Sequence, residues 1–323
     1  MDSPPILSTE LSIVIPIYNE LESIPALRAE LAVVLSQTRL ACVEIICVDD
    51  GSTDGSDALL KAWAQEDPQV HVLIFSRNFG QQAAITAGLE HCQGERVVIM
   101  DADLQDPPEL ILEMLEKSRQ GFDMVYARRQ NREGESRFKK ASAYLFYRLM
   151  RAVIGLDLPE DTGDFRLMNR RCLEAFLSMR EQNRFLRGMF HWVGFRQTEV
   201  LFSRPPRQSG YTKYPFSKML SLSINAALSF STLPLRLILM LGCGVSLFGA
   251  GYAIYSILWH LITGDTVKGW TTLIVLITLI GGSTLICLGI IGEYVSRIYD
   301  EVKGRPQYLL REIIAPATRK SAE

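Results

Sequence analysis

The stretch Val97-Val98-Ile99-Met100-Asp101-Ala102-Asp103-Leu104-Gln105-Asp106-Pro107 joins an apolar run directly to a group of carboxylates. Such a run is typical of a strand buried in a parallel sheet, and ligands bind at the carboxyl ends of these strands. Asp101 and Asp103 lie two residues apart, so their side chains point the same way along an extended chain. Two like charges this close need a cation, and oxygen ligands favour Mg²⁺ or Mn²⁺. A strand followed by an Asp-rich turn and a helix from Pro107 also fits, so the pattern alone leaves both interpretations open.

The neighbouring sequence repeats the order strand, polar loop, helix. Apolar runs predict strands at 11–16, 43–48, 71–75, 96–100, 124–127 and 198–202. Helical spacing between them predicts a doubly wound, Rossmann-like α/β domain with a mostly parallel sheet over residues 1–213. No GxGxxG or GxxxxGK[ST] follows these strands. A dinucleotide site, a P-loop or a nucleotidyltransferase therefore has no support, and a ligand phosphate would have to be held by metal and side chains.

Composition narrows the class of protein further. The net charge of −2 over 323 residues argues against a nucleic-acid partner. The six cysteines have no paired spacing, which favours reduced, mostly buried thiols over a disulfide or zinc framework. Residues 1–10 are polar and contain proline, so no signal peptide is expected.

Two late stretches, 237–262 and 270–292, contain no Asp, Glu, Lys or Arg. Each exceeds the roughly 20 apolar residues that a spanning helix needs. We predict transmembrane helices at 233–262 and 270–295, with basic flanks that put both termini and the tail 296–323 in the cytoplasm. A basic amphipathic helix at 137–155 and a juxtamembrane helix at 214–232 are expected to lie on the membrane surface.

Several motifs in order along the chain resemble one family. They are Ile15-Pro16-Ile17-Tyr18-Asn19-Glu20, Val48-Asp49-Asp50-Gly51-Ser52-Thr53-Asp54, Arg77-Asn78-Phe79-Gly80-Gln81, the carboxylate stretch above, and Arg207-Gln208-Ser209-Gly210-Tyr211-Thr212-Lys213. Together they are similar to the family-2 glycosyltransferases with the GT-A fold, in the branch that loads sugars onto polyisoprenyl phosphates. The likeness runs nearly end to end and includes the tail after residue 292.

The resemblance implies a set of site residues. A nucleotide sugar is expected at Pro16, Tyr18, Asn19, Glu20, Asp49, Asp50, Ser52, Asp54, Asn78, Gly80, Asp101 and Ala102. The metal is expected at Asp101, Asp103 and Gln105. The acceptor phosphate is expected at Arg128, Arg137, Arg207 and Lys213, with Arg166 as a further candidate.

Catalysis is assigned to Asp103 together with Asp161 and Asp164. The last two could orient the sugar or the acceptor, assist as a base, or cap a helix with Arg166 as an ion-pair partner. The residues leave these roles open.

The implied reaction is metal-dependent, inverting transfer of a hexose, with glucose favoured, from a UDP-sugar to a polyisoprenyl phosphate at a bacterial-type inner membrane. The small residues Gly242, Ser246 and Ala250 repeat every four positions, which favours helix packing and a homo-oligomer. One alternative is a processive polysaccharide synthase, although the Q(Q/R)xRW motif of such enzymes is absent from the sequence. A catalytically dead membrane scaffold is the other, and the intact carboxylates argue against it.

Overall fold

A computed structural model describes residues 9–130, 162–203, 233–264 and 269–315. Within these ranges, eight strands form one sheet in the order β7-β5-β6-β4-β1-β2-β3-β8. The strands are β1 Leu11–Ile17, β2 Val43–Asp49, β3 Val70–Phe75, β4 Arg96–Ile99, β5 Met124–Arg129, β6 Thr162–Asn169, β7 Gln197–Phe202 and β8 Leu310–Ile314. The helices are α1 Ile24–Gln37, α2 Ser56–Glu66, α3 Gln81–His91, α4 Leu110–Arg119, α5 Arg170–Ser178, α6 Leu186–Trp192, α7 Leu233–Thr263 and α8 Trp270–Lys303.

The sheet is mostly parallel, as the apolar runs predict. β1 pairs in parallel with β2 and β4, β2 with β3, and β5 with β7. β6 runs antiparallel between β4 and β5, and β8 runs antiparallel along β3. The carboxyl ends of β1, β2, β3 and β4 therefore meet at one edge, where ligands bind in open α/β sheets.

The central strands are buried because helices cover both faces of the sheet. Every residue of β1 and β2 is buried, and α1 contributes Leu27, Leu31 and Val34 to the same core. α3 packs very closely on β1, since a Cβ added to Gly88 would lie 2.2 Å from Cγ1 of Val14. A larger residue at 88 would push the helix away from the sheet.

Two strands were not predicted from the sequence. β6 contains Asp164 and Arg166, for which a helix cap with an ion-pair partner is one of the roles left open by the sequence, and β8 lies in the predicted tail. α4 begins at Leu110, about a turn after the predicted start at Pro107, because the intervening residues form a turn in which Leu110 N–H bonds to the carbonyl of Pro107 at 3.2 Å and Ile111 N–H to that of Pro108 at 3.0 Å. The predicted helices at 137–155 and 214–232 lie outside the described residues.

The described residues divide into two compact units. One holds the sheet with α1 to α6, and the other holds α7 and α8. Residues Leu235–Thr263 and Val275–Lys303 are long and apolar enough to cross a membrane, judged by length and composition. Their large apolar side chains are exposed, for example Leu247 at 75% and Ile262 at 81%.

Candidate active site

The loops after β1 and β2 are joined by hydrogen bonds at the carboxyl edge of the sheet. Asn19, with a left-handed φ of 54°, donates its backbone N–H to Ser52 Oγ at 3.0 Å and accepts from Thr53 N at 2.9 Å. Asp54 Oδ2 accepts the backbone N–H of Leu21 at 3.1 Å. Three of the predicted nucleotide-sugar residues thus hold the two loops together as one surface.

Three more residues that are predicted to bind the nucleotide sugar lie next to this surface. Pro16 pairs with Val48 in the β1–β2 register, and Tyr18 follows with 48% of its surface exposed. Glu20 Oε2 accepts a hydrogen bond from Ser23 Oγ at 2.7 Å. The exposed Tyr18 ring is available for stacking against a flat ligand.

Asp50 fixes the loop that follows β3. Its buried carboxylate accepts the backbone N–H groups of Phe79 at 2.6 Å and Gly80 at 2.9 Å. Burial raises the pKa of Asp50, and these two N–H donors oppose the shift. The carboxylate therefore positions Gly80 and the exposed Asn78 next to the first two loops.

Asp49 is fully buried, and one of its oxygens has no hydrogen-bond partner in the described part of the chain. Oδ1 accepts the backbone N–H of Ser52 at 3.2 Å, whereas Oδ2 has no hydrogen-bond partner within the described ranges. Leaving a buried acceptor unpaired costs about 1–3 kcal/mol. A ligand donor such as a base N–H or a ribose hydroxyl would satisfy it.

Asp101 is surrounded by other carboxylates just beyond β4. Its Oδ1 accepts Nε2 of Gln81 at 2.8 Å. Burial raises the pKa of Asp101 to about 7, and the negative charges of Asp164, Asp106 and Asp103 act in the same direction. The charge of Arg187 opposes this shift only in part, and a concentration of negative charge of this kind attracts a cation.

The residues predicted to hold a metal fit a magnesium-type site. Asp103 is exposed, and its Oδ1 accepts the backbone N–H of Gln105 at 3.1 Å across Leu104, whose φ is 54°. Gln105 Oε1 is buried and has no hydrogen-bond partner in the described part of the chain. Within that part, no three His, Cys, Asp or Glu side chains are arranged to hold a metal by themselves. Mg²⁺ usually takes only one or two carboxylates and completes its shell with water and substrate phosphates, so two carboxylates and one amide suit it.

Asp164 on β6 is held in its ionised form. Arg187 on α6 donates Nε to Asp164 Oδ1 at 2.8 Å, and the Asp164 side chain is only 14% exposed. Burial acts to raise the pKa of Asp164, but the charge and hydrogen bond of Arg187, with Arg166 behind them, outweigh it and lower that pKa. Asp164 is therefore a fixed negative charge beside Asp101 and a weak base.

The Arg166 side chain is buried and makes its contacts within the protein. It is 4% exposed, donates to the carbonyl of Gly163 at 2.9 Å, and stacks over the Phe190 ring at 4.2 Å. Burial lowers its pKa to about 10, so it stays charged at neutral pH. These contacts join β6 to α6 and hold Asp164 and Arg187 at a common place.

Only one of the four predicted acceptor-phosphate residues is described. Arg128, on β5, donates Nη1 to Glu199 Oε2 of β7 at 3.0 Å. The other three lie outside the described residues, namely Arg137, Arg207 and Lys213. The predicted catalytic Asp161 lies outside them as well. The buried Ala102, 3% exposed, sits between the two metal-ligand candidates. Ligand contacts of all these residues stay predictions.

Sequence reasoning did not single out Gln81, Asp106 or Arg187 as site residues. Gln81 follows the Arg77-Asn78-Phe79-Gly80 motif directly, and Asp106 ends the opening stretch, so both carried a local signal. Arg187 carried none, because it reaches Asp164 only through the packing of α6 on β6.

A mostly parallel sheet, carboxylate-rich loops at its carboxyl edge and an Asp-X-Asp turn after β4 beside an antiparallel strand define the GT-A class of sugar transferases. The chain belongs to glycosyl transferase family 2, whose model matches residues 12–177. It is 46% identical to an uncharacterized glycosyltransferase of Bacillus subtilis (strain 168), over 94% of each chain. It is 38% identical to the SfII prophage-derived bactoprenol glucosyl transferase of Shigella flexneri, over 94% of this chain and 98% of that protein. Among solved structures, mannosyl-3-phosphoglycerate synthase from Rubrobacter xylanophilus matches with a TM-score of 0.47 and 17% identity, over 68% of this chain and 73% of that one.

Proposed function

We propose that the protein transfers a hexose, with glucose favoured, from a UDP-sugar to a polyisoprenyl phosphate such as undecaprenyl phosphate. The observation that carries the proposal is the similarity to bactoprenol glucosyl transferases along nearly the whole chain, including both long apolar helices. A full-length match of this kind covers the catalytic sheet and the segments that would bring it to a lipid.

We assign the nucleotide sugar to the carboxyl edge of the sheet. Asp49 Oδ2 lacks a hydrogen-bond donor there, and a uracil N–H or a ribose hydroxyl would supply one. Tyr18 is exposed beside it, and Asp50 holds the loop that carries Asn78 and Gly80. The three loops together would grip the nucleoside, while the diphosphate extends toward Asp101.

Asp101, Asp103 and Gln105 would hold Mg²⁺ or Mn²⁺. The ion would neutralise the diphosphate as it leaves the anomeric carbon. The chain itself supplies the ligand oxygens, and Gln81 orients Asp101 through its 2.8 Å hydrogen bond.

The acceptor needs charge neutralisation rather than a strong base. A phosphate monoester has a second pKa near 6 and is mostly dianionic at neutral pH, so its oxygen is already a nucleophile. Arg128, Arg137, Arg207 and Lys213 are assigned to this phosphate, since arginine suits bidentate phosphate contact. Attack opposite the leaving diphosphate inverts the anomeric carbon and converts an α-linked donor into a β-linked lipid-phosphate sugar.

Asp164 is assigned to orienting the sugar or the acceptor. The charge of Arg187 lowers the pKa of Asp164, which weakens it as a base but keeps it available as a hydrogen-bond acceptor. Asp161 is kept as a second catalytic candidate because it lies in the same motif.

We further propose that α7 and α8 span a bacterial-type inner membrane, with the catalytic sheet and both termini in the cytoplasm. Basic residues flank the apolar stretches on the side of the termini, as the positive-inside rule requires. The small residues Gly242, Ser246 and Ala250 support association of α7 with a second copy, hence a homo-oligomer.

The test is a radiolabelled transfer assay with the full-length protein in membranes, undecaprenyl phosphate and Mg²⁺ or Mn²⁺. UDP-glucose, UDP-N-acetylglucosamine, GDP-mannose and UDP-aminoarabinose are compared as donors for wild type and Asp103→Ala. Glu109→Ala is the matched control, because Glu109 is an exposed carboxylate outside the cluster. We expect a labelled glycolipid from UDP-glucose that disappears with EDTA and with Asp103→Ala only. Label in a polymer would favour a processive synthase, and no transfer from any donor would contradict the proposal.

A further inference from the structure

The chain returns to the sheet after its last long helix. Residues 307–314, named here the C-terminal strap, include β8, which runs antiparallel along β3 with Val72 opposite Ile314 and Phe75 opposite Leu310. The backbone N–H of Ser76 donates to the carbonyl of Leu309 at 2.9 Å, which carries the pairing past the end of β3. The strap therefore reaches the loop at residues 76–80, named here the donor loop.

Side chains fix the strap at several other points. Arg311 donates to Asp57 Oδ2 at 2.9 Å, and Gln307 Nε2 donates to the carbonyl of Glu181 at 2.7 Å. The Arg311 side chain is 49% exposed, so this ion pair contributes little to stability. The strand pairing and the aromatic contacts are the main attachments of the strap.

Tyr308 makes the contact that leads toward the site. Its ring stacks on the buried Phe75 with centroids 5.1 Å apart and 11° between the planes. Its hydroxyl donates to Glu90 Oε2 at 2.5 Å. Phe75 in turn meets Phe79 edge to face at 5.6 Å.

Phe79 is where this series of contacts reaches the donor loop. Its backbone N–H is one of the two that the Asp50 carboxylate accepts, and Gly80 supplies the other. If the Tyr308 ring is removed, Phe75 loses its stacking partner at the sheet edge. Phe75 and Phe79 can then relax into the space, and the two N–H groups lose their alignment with Asp50.

We propose that Tyr308 is a positioning residue for the nucleotide sugar: through Phe75 and Phe79 it holds the donor loop in the geometry that Asp50 requires. The inference rests on the proposed function, since it assigns the donor loop to that substrate. The segment that follows the last long helix is accordingly part of the donor site, and it does more than cover the edge of β3.

The test uses the full-length protein in lipid nanodiscs with UDP-glucose and undecaprenyl phosphate. Tyr308→Ala removes the ring, Tyr308→Phe removes only the hydrogen bond to Glu90, and Glu312→Ala removes the ion pair of the same strap with Lys61. We expect Tyr308→Ala to raise the KM for UDP-glucose about threefold to tenfold, the range expected for one aromatic pair, with kcat and the KM for lipid within about twofold. Tyr308→Phe keeps the wild-type KM, and Glu312→Ala leaves it unchanged.

A second measurement needs no substrate. Hydrogen exchange of the peptide that contains the amides of Phe79 and Gly80 is followed by mass spectrometry in the same variants. We expect faster exchange in Tyr308→Ala than in Tyr308→Phe or Glu312→Ala. Unchanged exchange in Tyr308→Ala would overturn the inference, as would equal changes of KM in Tyr308→Ala and Glu312→Ala.

The two measurements separate this inference from the proposed function. If wild type transfers no sugar to lipid, the proposed function fails, and the affinity for UDP measured by calorimetry takes the place of KM. Weaker UDP binding together with faster exchange in Tyr308→Ala would then still support the positioning role, whereas wild-type UDP binding in that variant would overturn it.

Discussion

Gly51 is the point at which the loop after β2 touches the donor loop, and its replacement makes a quantitative test of the site. Gly51 has a φ of +69°, and a Cβ added there would lie 2.6 Å from the carbonyl carbon of Arg77 and 2.8 Å from the backbone nitrogen of Asn78. Ordinary contacts between such atoms begin near 3.5 Å, so Gly51→Ala must part the two loops by about 1 Å. Backbone atoms on both sides leave no flexible side chain to give way.

The cost has two parts. A left-handed backbone costs an alanine roughly 1–2 kcal/mol. Parting the loops by about 1 Å would also stretch the bonds from Phe79 and Gly80 to Asp50, now 2.6 and 2.9 Å, beyond hydrogen-bond range. A hydrogen bond to a charged group is worth about 1.5–3 kcal/mol, so losing one or both brings the expected loss of stability to roughly 2.5–8 kcal/mol.

Gly55 provides the matched control, because its φ is +96° and a Cβ there meets nothing within 4 Å. Gly55→Ala carries only the cost of the backbone conformation, so its Tm should fall by roughly 2–8 °C, against roughly 5–32 °C for Gly51→Ala. Thermal unfolding of the two variants in the same detergent measures the difference, and UDP binding should weaken in Gly51→Ala. Equal Tm values for the two variants would refute the argument from close approach.

Two further predictions concern buried ionisable side chains. Arg187→Gln removes the charge that opposes burial at Asp164, so the pKa of Asp164 rises and the carboxyl is increasingly protonated as the pH falls. The rate of sugar transfer should fall about tenfold at neutral pH and more steeply toward about pH 5. The control Arg171→Gln changes an exposed residue and should leave the pH profile unchanged. Burial raises the pKa values of three thiols to about 12, 11 and 12, for Cys47, Cys92 and Cys172 in that order. These thiols should therefore resist iodoacetamide at about pH 8 in the folded protein and react after unfolding in urea, measured by mass spectrometry. Alkylation in the folded state would contradict their burial.

The parallel core could be predicted because its signal is local. β1 and β2 are apolar at nearly every position, since they are buried on both faces, and each ends in a polar loop. The interpretation of the Asp101 stretch as a strand followed by functional carboxylates depended on the same contrast. Its placement at the carboxyl edge of the sheet is confirmed by the register of β4 with β1.

The missed strands lack that signal for different reasons. β6 has the sequence Thr162-Gly163-Asp164-Phe165-Arg166-Leu167-Met168-Asn169, in which a charged residue, Arg166, is buried. Its burial is compensated by backbone carbonyls and the Phe190 ring, which are partners that no local pattern reveals. β8 is a short edge strand with alternating charges, and its residues Arg311 and Glu312 pair with α2 across most of the chain length.

Asp49 and Asp50 show why motif residues can be recognised from sequence while their roles cannot. Both are buried at the end of β2, and the motif assigned both to the nucleotide sugar. Successive side chains of a strand point to opposite sides, so Asp50 meets the donor loop and both of its oxygens are used, while Asp49 keeps Oδ2 open. The geometry therefore divides one motif into a residue that fixes the donor loop and a residue with one unpaired, buried oxygen. Asn in place of Asp50 should disturb the loop without a ligand present, whereas Asn in place of Asp49 should be felt mainly when a ligand binds.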